Sequence, residues 1–200
     1  MILHDYLPSG NGYKVRLLLN LLQRPYEYRH YDIVQGETRT PGFLAMNPAG
    51  KIPVLELDDG RHLSESNAIL YYLAQGTEYW PESHWDQAQV LRWMSFEQYS
   101  HEPNIATPRF WLGHLGLNEE RKAQLAGKQA QGRAALAVMD DHLSRHNWFA
   151  AERYTIADIA LYAYTHVADE GGFDLADYPH IGRWLDRIAS RPNHSLITAE

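Results

Sequence analysis

Apolar residues along this chain follow two different periods. Ile2-Leu3 and Tyr6-Leu7 flank two polar residues, a pattern that predicts a short buried strand. Pro8-Ser9-Gly10-Asn11-Gly12 is a turn by composition, and Val15, Leu18, Leu19 and Leu22 then recur at helical spacing until Arg24-Pro25. The aromatic-rich stretch from Tyr26 to Tyr31 predicts a second strand, parallel to the first and joined to it right-handedly through the helix. Thr40-Pro41 marks the start of a short helix over Gly42 to Met46. Val54–Leu57 and Arg61–Leu63, joined by Asp58-Asp59-Gly60, read as a hairpin. Ser64 then reads as the cap of a helix running to Ala74. The order is β-α-β-α-β-β-α, a small mixed sheet with helices over it.

The pattern changes near residue 80. No alternating segment follows residue 84. A helical stretch over Trp85 to Ser100 meets Pro103 and Pro108. A long helix is expected over Glu119 to Leu143, a nearly all-apolar and hence buried one over Ile159 to Ala168, and a last one over His180 to Ser190. Thr155-Ile-Ala-Asp158 has the form of a capping box before the buried helix. The expected organisation is an α/β domain over residues 1–77, a linker over 78–84 and an all-α domain over 85–200.

Composition narrows the chemistry. The 200 residues carry a net charge of -7, which argues against non-specific nucleic-acid binding. With no Cys there is no protein disulfide and no catalytic thiol, so any thiol chemistry must use a thiol brought by a ligand. Met1-Ile-Leu-His-Asp5 turns polar at once, unlike a signal peptide, and no apolar run has the ~20 residues of a membrane span, so a cytoplasmic protein is expected. Among 11 His, His142 and His146 stand at i, i+4, but no third ligand accompanies them, and no metal is expected.

Two segments carry candidate chemistry. In Asn47-Pro-Ala-Gly-Lys-Ile-Pro-Val54, Pro53 stands at a strand start, where its missing N–H is tolerated, and Ile52-Pro53 is a candidate cis bond. Such a bond turns the backbone polar groups of Ile52 outward. Glu65-Ser66 opens a helix, and a helix start favours a carboxylate. Together they suit a small peptide with carboxylates.

These residues, in combination, resemble the cytosolic glutathione transferases. Asn47 to Leu55 is similar to that family's cis-proline segment, Leu63-Ser-Glu-Ser-Asn-Ala-Ile69 to its γ-glutamyl site, and Tyr154-Thr-Ile-Ala-Asp-Ile159 to its second-domain capping motif. The resemblance implies a thioredoxin-like first domain and an all-α second domain. It also implies glutathione as cosubstrate, with Ile52 pairing its backbone with the cysteinyl part. Glu65 would hold the γ-glutamyl amine and Ser66 the γ-glutamyl carboxylate. Lys51 would meet the glycyl carboxylate with help from Gln35 or Arg39. It further implies a homodimer in which His101 or Gln98, at the end of the first bundle helix, reaches glutathione in its own or the partner subunit.

The thiol-activating group is left among three residues. Bringing a thiol from about 8.5 to about 6.5 means roughly 2.7 kcal/mol of preference for the thiolate. A helix start supplies about 0.3–2 kcal/mol and one hydrogen bond to a charged acceptor about 1.5–3 kcal/mol, so one donor at one helix start suffices. Ser9-Gly-Asn-Gly-Tyr-Lys-Val15 resembles bacterial classes with a Ser/Thr-x-Asn-Gly turn, some of them disulfide reductases. Ser9 is the first expectation, Asn11 the second and Tyr6 the third. The acceptor is expected against Tyr6, Pro8, Tyr99, Phe110, Trp111 and Tyr164. Four readings stay open: transfer of glutathione to an electrophile, glutathione-dependent disulfide reduction, glutathione binding without turnover, and isomerisation or dehalogenation by the same activated thiolate.

Overall fold

A computed structural model describes residues 1–199. The chain forms two compact units, Met1–Thr77 together with the tail from Pro192 onward, and Glu78–Arg191.

The first unit is a four-stranded mixed sheet in the order β2-β1-β3-β4, with β1 at Ile2–Asp5, β2 at Glu27–His30, β3 at Val54–Glu56 and β4 at His62–Ser64. β1 pairs parallel with β2 and antiparallel with β3, and β3 pairs antiparallel with β4. Helices α1 (Gly10–Leu21), α2 (Pro41–Met46) and α3 (Ser66–Ala74) complete it, and α1 packs on α3. The β-α-β-α-β-β-α order expected from the pattern, thioredoxin-like as the resemblance implied, is therefore present, with shifted edges. β1 runs to Asp5 and leaves Tyr6-Leu7 in the turn, because His4 and Asp5 are themselves buried. Ser64 ends β4 and does not cap α3; Glu65 holds the cap position with φ 69°.

Alternation along β1 sends Leu3 and Asp5 to one face and His4 to the other. On one face the His4 ring meets Tyr31 Oη at 3.2 Å and Glu56 Oε2 at 3.0 Å. On the other, Arg16 of α1 donates from Nε to Asp5 Oδ2 at 3.1 Å, with both side chains fully buried. The same guanidinium donates to Leu7 O at 2.6 Å, to Ile197 O at 2.9 Å and to Ala199 O. Tyr13 Oη donates to Ser195 O at 2.7 Å and Asn20 Nδ2 to Ser195 Oγ at 2.9 Å. One face of α1 thus holds the C-terminal tail against the first unit. The apolar pattern carried the helical domain on to residue 200, and nothing in the tail's polar sequence signals this return.

The second unit contains α4 (His84–Phe96), α5 (Glu102–Phe110), α6 (Glu119–Leu143), α7 (Ile156–Thr165) and α8 (Pro179–Ala189). Pro103 does not break the first helical stretch. It falls in the first turn of α5, where its missing N–H costs nothing, after a wide π-type turn over Glu97–His101. α7 is buried along its whole length and begins earlier than its apolar run suggested, directly after Thr155. The capping box forms as expected. Asp158 Oδ2 accepts from Thr155 N at 2.9 Å and Thr155 Oγ1 at 3.1 Å, and Oδ1 accepts from Phe149 N and Trp184 Nε1, both at 3.1 Å. Trp184 is fully buried and meets Phe149 edge-on at 5.1 Å, so this one carboxylate ties α7, α8 and the loop before α7 together.

Two outcomes follow from these buried carboxylates. Asp158→Asn replaces an acceptor with a donor facing at least one donor, and should cost about 2–4 kcal/mol in chemical denaturation. Burial pushes Asp5 up to about 7 in the fold although the Arg16 guanidinium opposes the shift. A carboxyl raised on folding takes up protons on folding, so its stabilising effect is lost as pH rises through that value. Arg16→Met removes the opposing charge and raises Asp5 further. The variant should be less stable by about 3–5 kcal/mol near neutral pH, and the deficit should widen above about pH 7 in urea titrations.

Candidate functional site

The turn after β1 and the segment before β3 carry the expected site residues of the first unit. Ser9 caps α1: its backbone is extended, and Oγ accepts from Gly12 N at 3.4 Å. Ser9 N in turn donates to Tyr6 O at 2.8 Å, closing the turn. Gly12 is required by close approach. A Cβ there would lie 1.7 Å from Asp5 Oδ1, on a carboxylate whose other oxygen, Oδ2, accepts from Arg16 Nε.

Asn11, in the first turn of α1, reaches across to the start of α3. Ser66 Oγ donates to Asn11 Oδ1 at 3.3 Å, and Lys14 Nζ donates to the same oxygen at 2.8 Å. Lys14 Nζ also lies 3.4 Å from Ser66 Oγ. Lys14 is fully buried and Ser66 nearly so, whereas Asn11 is half-buried. Two helix starts, each with a partial positive charge, thereby meet at one place. The sequence reading named Asn11 and Ser66 but had no signal that they touch, and it missed Lys14, whose place in an apolar helix resembles an ordinary surface lysine.

The third segment is shaped by Asn47. Its Nδ2 donates to Lys51 O at 2.8 Å and its Oδ1 accepts from Ala49 N at 3.1 Å, while Gly50 N donates to Asn47 O at 2.9 Å. This wraps the loop that delivers Ile52, and the Ile52-Pro53 bond is cis. Pro53 is buried, Ile52 half-buried and Lys51 exposed. Arg39 donates from Nη1 to Ala49 O at 3.2 Å, so it lies beside this loop. A Cβ on Gly50, whose φ is 61°, would collide with that guanidinium at 2.5 Å. In the sequence, the place of Asn47 before Pro48 and Gly50 is the signal for this turn-forming side chain.

Other expected residues are placed differently. Gln35 is exposed, and its backbone N–H donates to Asp32 Oδ1 at 3.1 Å. Tyr6 is half-buried with its ring 5.8 Å from that of His30. Glu65 is exposed in a left-handed conformation uncommon for a residue with a side chain. His101 lies wholly inside the helical unit, its Nε2 2.9 Å from Thr165 Oγ1, so the expectation that it reaches a ligand gives way to a core role. Gln98, its alternative on the same turn, is exposed. Among the acceptor candidates, Tyr164 is buried, Phe110 lies against the His114 ring at 5.4 Å, and Tyr99 is exposed beside a cavity of about 360 Å³ with Phe96 and Val138. His142 and His146 stack ring on ring at 4.5 Å and bond to Trp148 O and Glu152. No group of three or more metal-ligating side chains occurs among the described residues, and none of their helices is long and apolar enough to cross a membrane.

Comparison with known proteins identifies the family and the fold. Residues 8–75 match the glutathione S-transferase N-terminal domain and residues 93–192 the glutathione S-transferase C-terminal domain. The chain belongs to the glutathione S-transferase family. It is 52% identical to a glutathione S-transferase from Pseudomonas fluorescens Pf-5 of known structure, with a TM-score of 0.97 over 99% of this chain and 98% of that one. A Burkholderia graminis glutathione transferase, solved with two glutathione molecules bound per subunit, is 27% identical with a TM-score of 0.83, over 96% of this chain and 84% of that one. The disulfide-bond oxidoreductase YfcG of Escherichia coli K12 is 29% identical, over 98% of this chain and 94% of that protein.

The close approach at Gly12 makes its own forecast. Gly12→Ala should cost about 1–3 kcal/mol by urea midpoint, since the methyl group must displace a buried carboxylate from its arginine. The shift should exceed that of Ser9→Ala, which removes a cap worth about 1 kcal/mol.

Proposed function

We propose that this protein binds glutathione, stabilises its thiolate and passes it to an electrophilic acceptor. The observation that carries this reading is the contact of Asn11 with Ser66, which joins the starts of α1 and α3 beside the Ile52-Pro53 segment. In this reading the Ile52 backbone pairs with the cysteinyl residue. Ser66 and the first N–H groups of α3 take the γ-glutamyl carboxylate, Glu65 takes the amine, and Lys51 takes the glycyl carboxylate, with Arg39 or Gln35 beside it. The thiol then lies over the start of α1, within reach of Ser9 and Asn11, with Tyr6 behind them.

Neither Ser9 nor Asn11 needs to ionise. Each stabilises the thiolate as a hydrogen-bond donor, and the thiol proton passes to solvent. The thiolate attacks the acceptor, a carbon–sulfur bond forms, and the leaving group departs with its electron pair. The likeness to YfcG supports a second reading in which the acceptor is a disulfide, so that a sulfur–sulfur bond forms and breaks instead. The family also supports a cytoplasmic homodimer as the working form, which sedimentation would register as twice the chain mass of 23.0 kDa.

Thermal melting with and without reduced glutathione tests the binding step. A rise in Tm is expected for wild type. Ser66→Ala and Glu65→Ala should each weaken binding by about tenfold, as expected for one charge-assisted hydrogen bond. Unchanged melting of wild type at millimolar glutathione would refute the reading. An aryl halide and a small symmetrical disulfide as alternative acceptors separate the two activities.

A further inference from the structure

The geometry points to Lys14 as a positioning residue that decides which end of the Asn11 side chain faces the thiol. The inference rests on the glutathione reading above.

An asparagine amide has a carbonyl oxygen on one side and an NH2 on the other, of nearly equal size, and either end fits most sites. Here the choice is dictated by a neighbour. A lysine ammonium has three donors and no acceptor, so the Asn11 atom 2.8 Å from Lys14 Nζ must be the oxygen. Ser66 Oγ adds a second donor to the same atom at 3.3 Å. Lys14 is fully buried and Ser66 is 5% exposed, so the oxygen is drawn toward the interior. With Oδ1 held by Lys14 and Ser66, the opposite end of the half-buried Asn11 amide is Nδ2, the end that donates.

The consequence for a thiolate is large. An outward NH2 offers a hydrogen bond to the developing negative charge, whereas an outward carbonyl would repel it. The buried ammonium behind the amide acts in the same direction, because a nearby positive charge favours the ionised form of a thiol. Lys14 is as fully buried as its apolar neighbours in sequence on α1, Tyr13, Val15, Leu17, Leu18 and Leu19, and a charge removed from water is expensive. A positioning role for the active amide accounts for that cost.

The test compares Lys14→Met, Lys14→Arg and Asn11→Asp with wild type. It follows the ultraviolet absorbance of bound glutathione thiolate against pH, and kcat/KM against pH with an aryl halide. In wild type the bound thiol should titrate below the free value of about 8.5. In Lys14→Met the midpoint should move back toward the free value, and kcat/KM near neutral pH should fall about tenfold. The deficit should close at alkaline pH, where the thiolate forms unaided; a purely structural lesion would persist there. Lys14→Arg, which keeps a donor, should restore most of the lowered titration. A folded Lys14→Met protein with the wild-type midpoint would overturn the inference. Should Lys14→Met not fold, Asn11→Asp decides: with Lys14 holding one oxygen, its other oxygen replaces the donor. Its midpoint should lie above that of Asn11→Ala, and an equal or lower one would overturn the inference. Failure of the glutathione reading has a separate signature, the absence of any glutathione-dependent rise in wild-type Tm, and would take this inference with it.

Discussion

The bond between Arg16 and Asp5 is the constraint on which the first unit depends. It joins the middle of α1 to the end of the central strand β1, and it is dry on both sides. Because that carboxylate is pinned, the first turn of α1 can lie against it only where residue 12 lacks a side chain. The position of α1 along β1 then sets where Ser9 and Asn11 stand. The other guanidinium contacts, to Leu7 O, Ile197 O and Ala199 O, bind the turn before α1 and the tail to the same point.

The candidate site is thus built on a rigid edge. Asn11 and Ser66 are 55 residues apart in the chain, and their contact exists because α1 and α3 pack side by side with their starts level. Two helix starts and a buried ammonium make a positive region in a chain whose net charge is -7. Local fields at fixed dipoles, not net charge, govern which ligand such a place accepts. The second unit shows a related economy: one carboxylate, Asp158, serves α7, the loop before it and Trp184 of α8.

Chemistry that depends on local sequence was legible in the chain. The mixed-sheet order, the Thr155–Asp158 capping box, the Ile52-Pro53 bond and the helix beginning beside Glu65-Ser66 all follow from short-range rules for Pro, Gly and capping residues. Edges were less legible. Ser64 has the residue type of a cap, yet pairing with Val54 keeps it in β4 and passes the cap position to Glu65. Pro103 has the residue type of a breaker, yet a wide turn places it in the first turn of a new helix. The resemblance implied His101 or Gln98 near glutathione, and Thr165, 64 residues away, holds the His101 ring inside the helical unit.

What the sequence by itself determined is the set of local conformations: which segments are helix or strand, which turns join them, and that any reactive thiol must come from a ligand. Tertiary structure alone decided which polar side chains meet. Lys14, Arg16 and the tail after Pro192 show why. Beside a near partner, Asn11 for Lys14 and Asp5 for Arg16, each meets a distant one: Ser66 lies 52 residues from Lys14 and Ala199 lies 183 from Arg16. Hydrophobic periodicity reports only whether a position faces the core. It carries no information about which donor or acceptor waits there, and for a buried polar group that partner determines both its cost and its use.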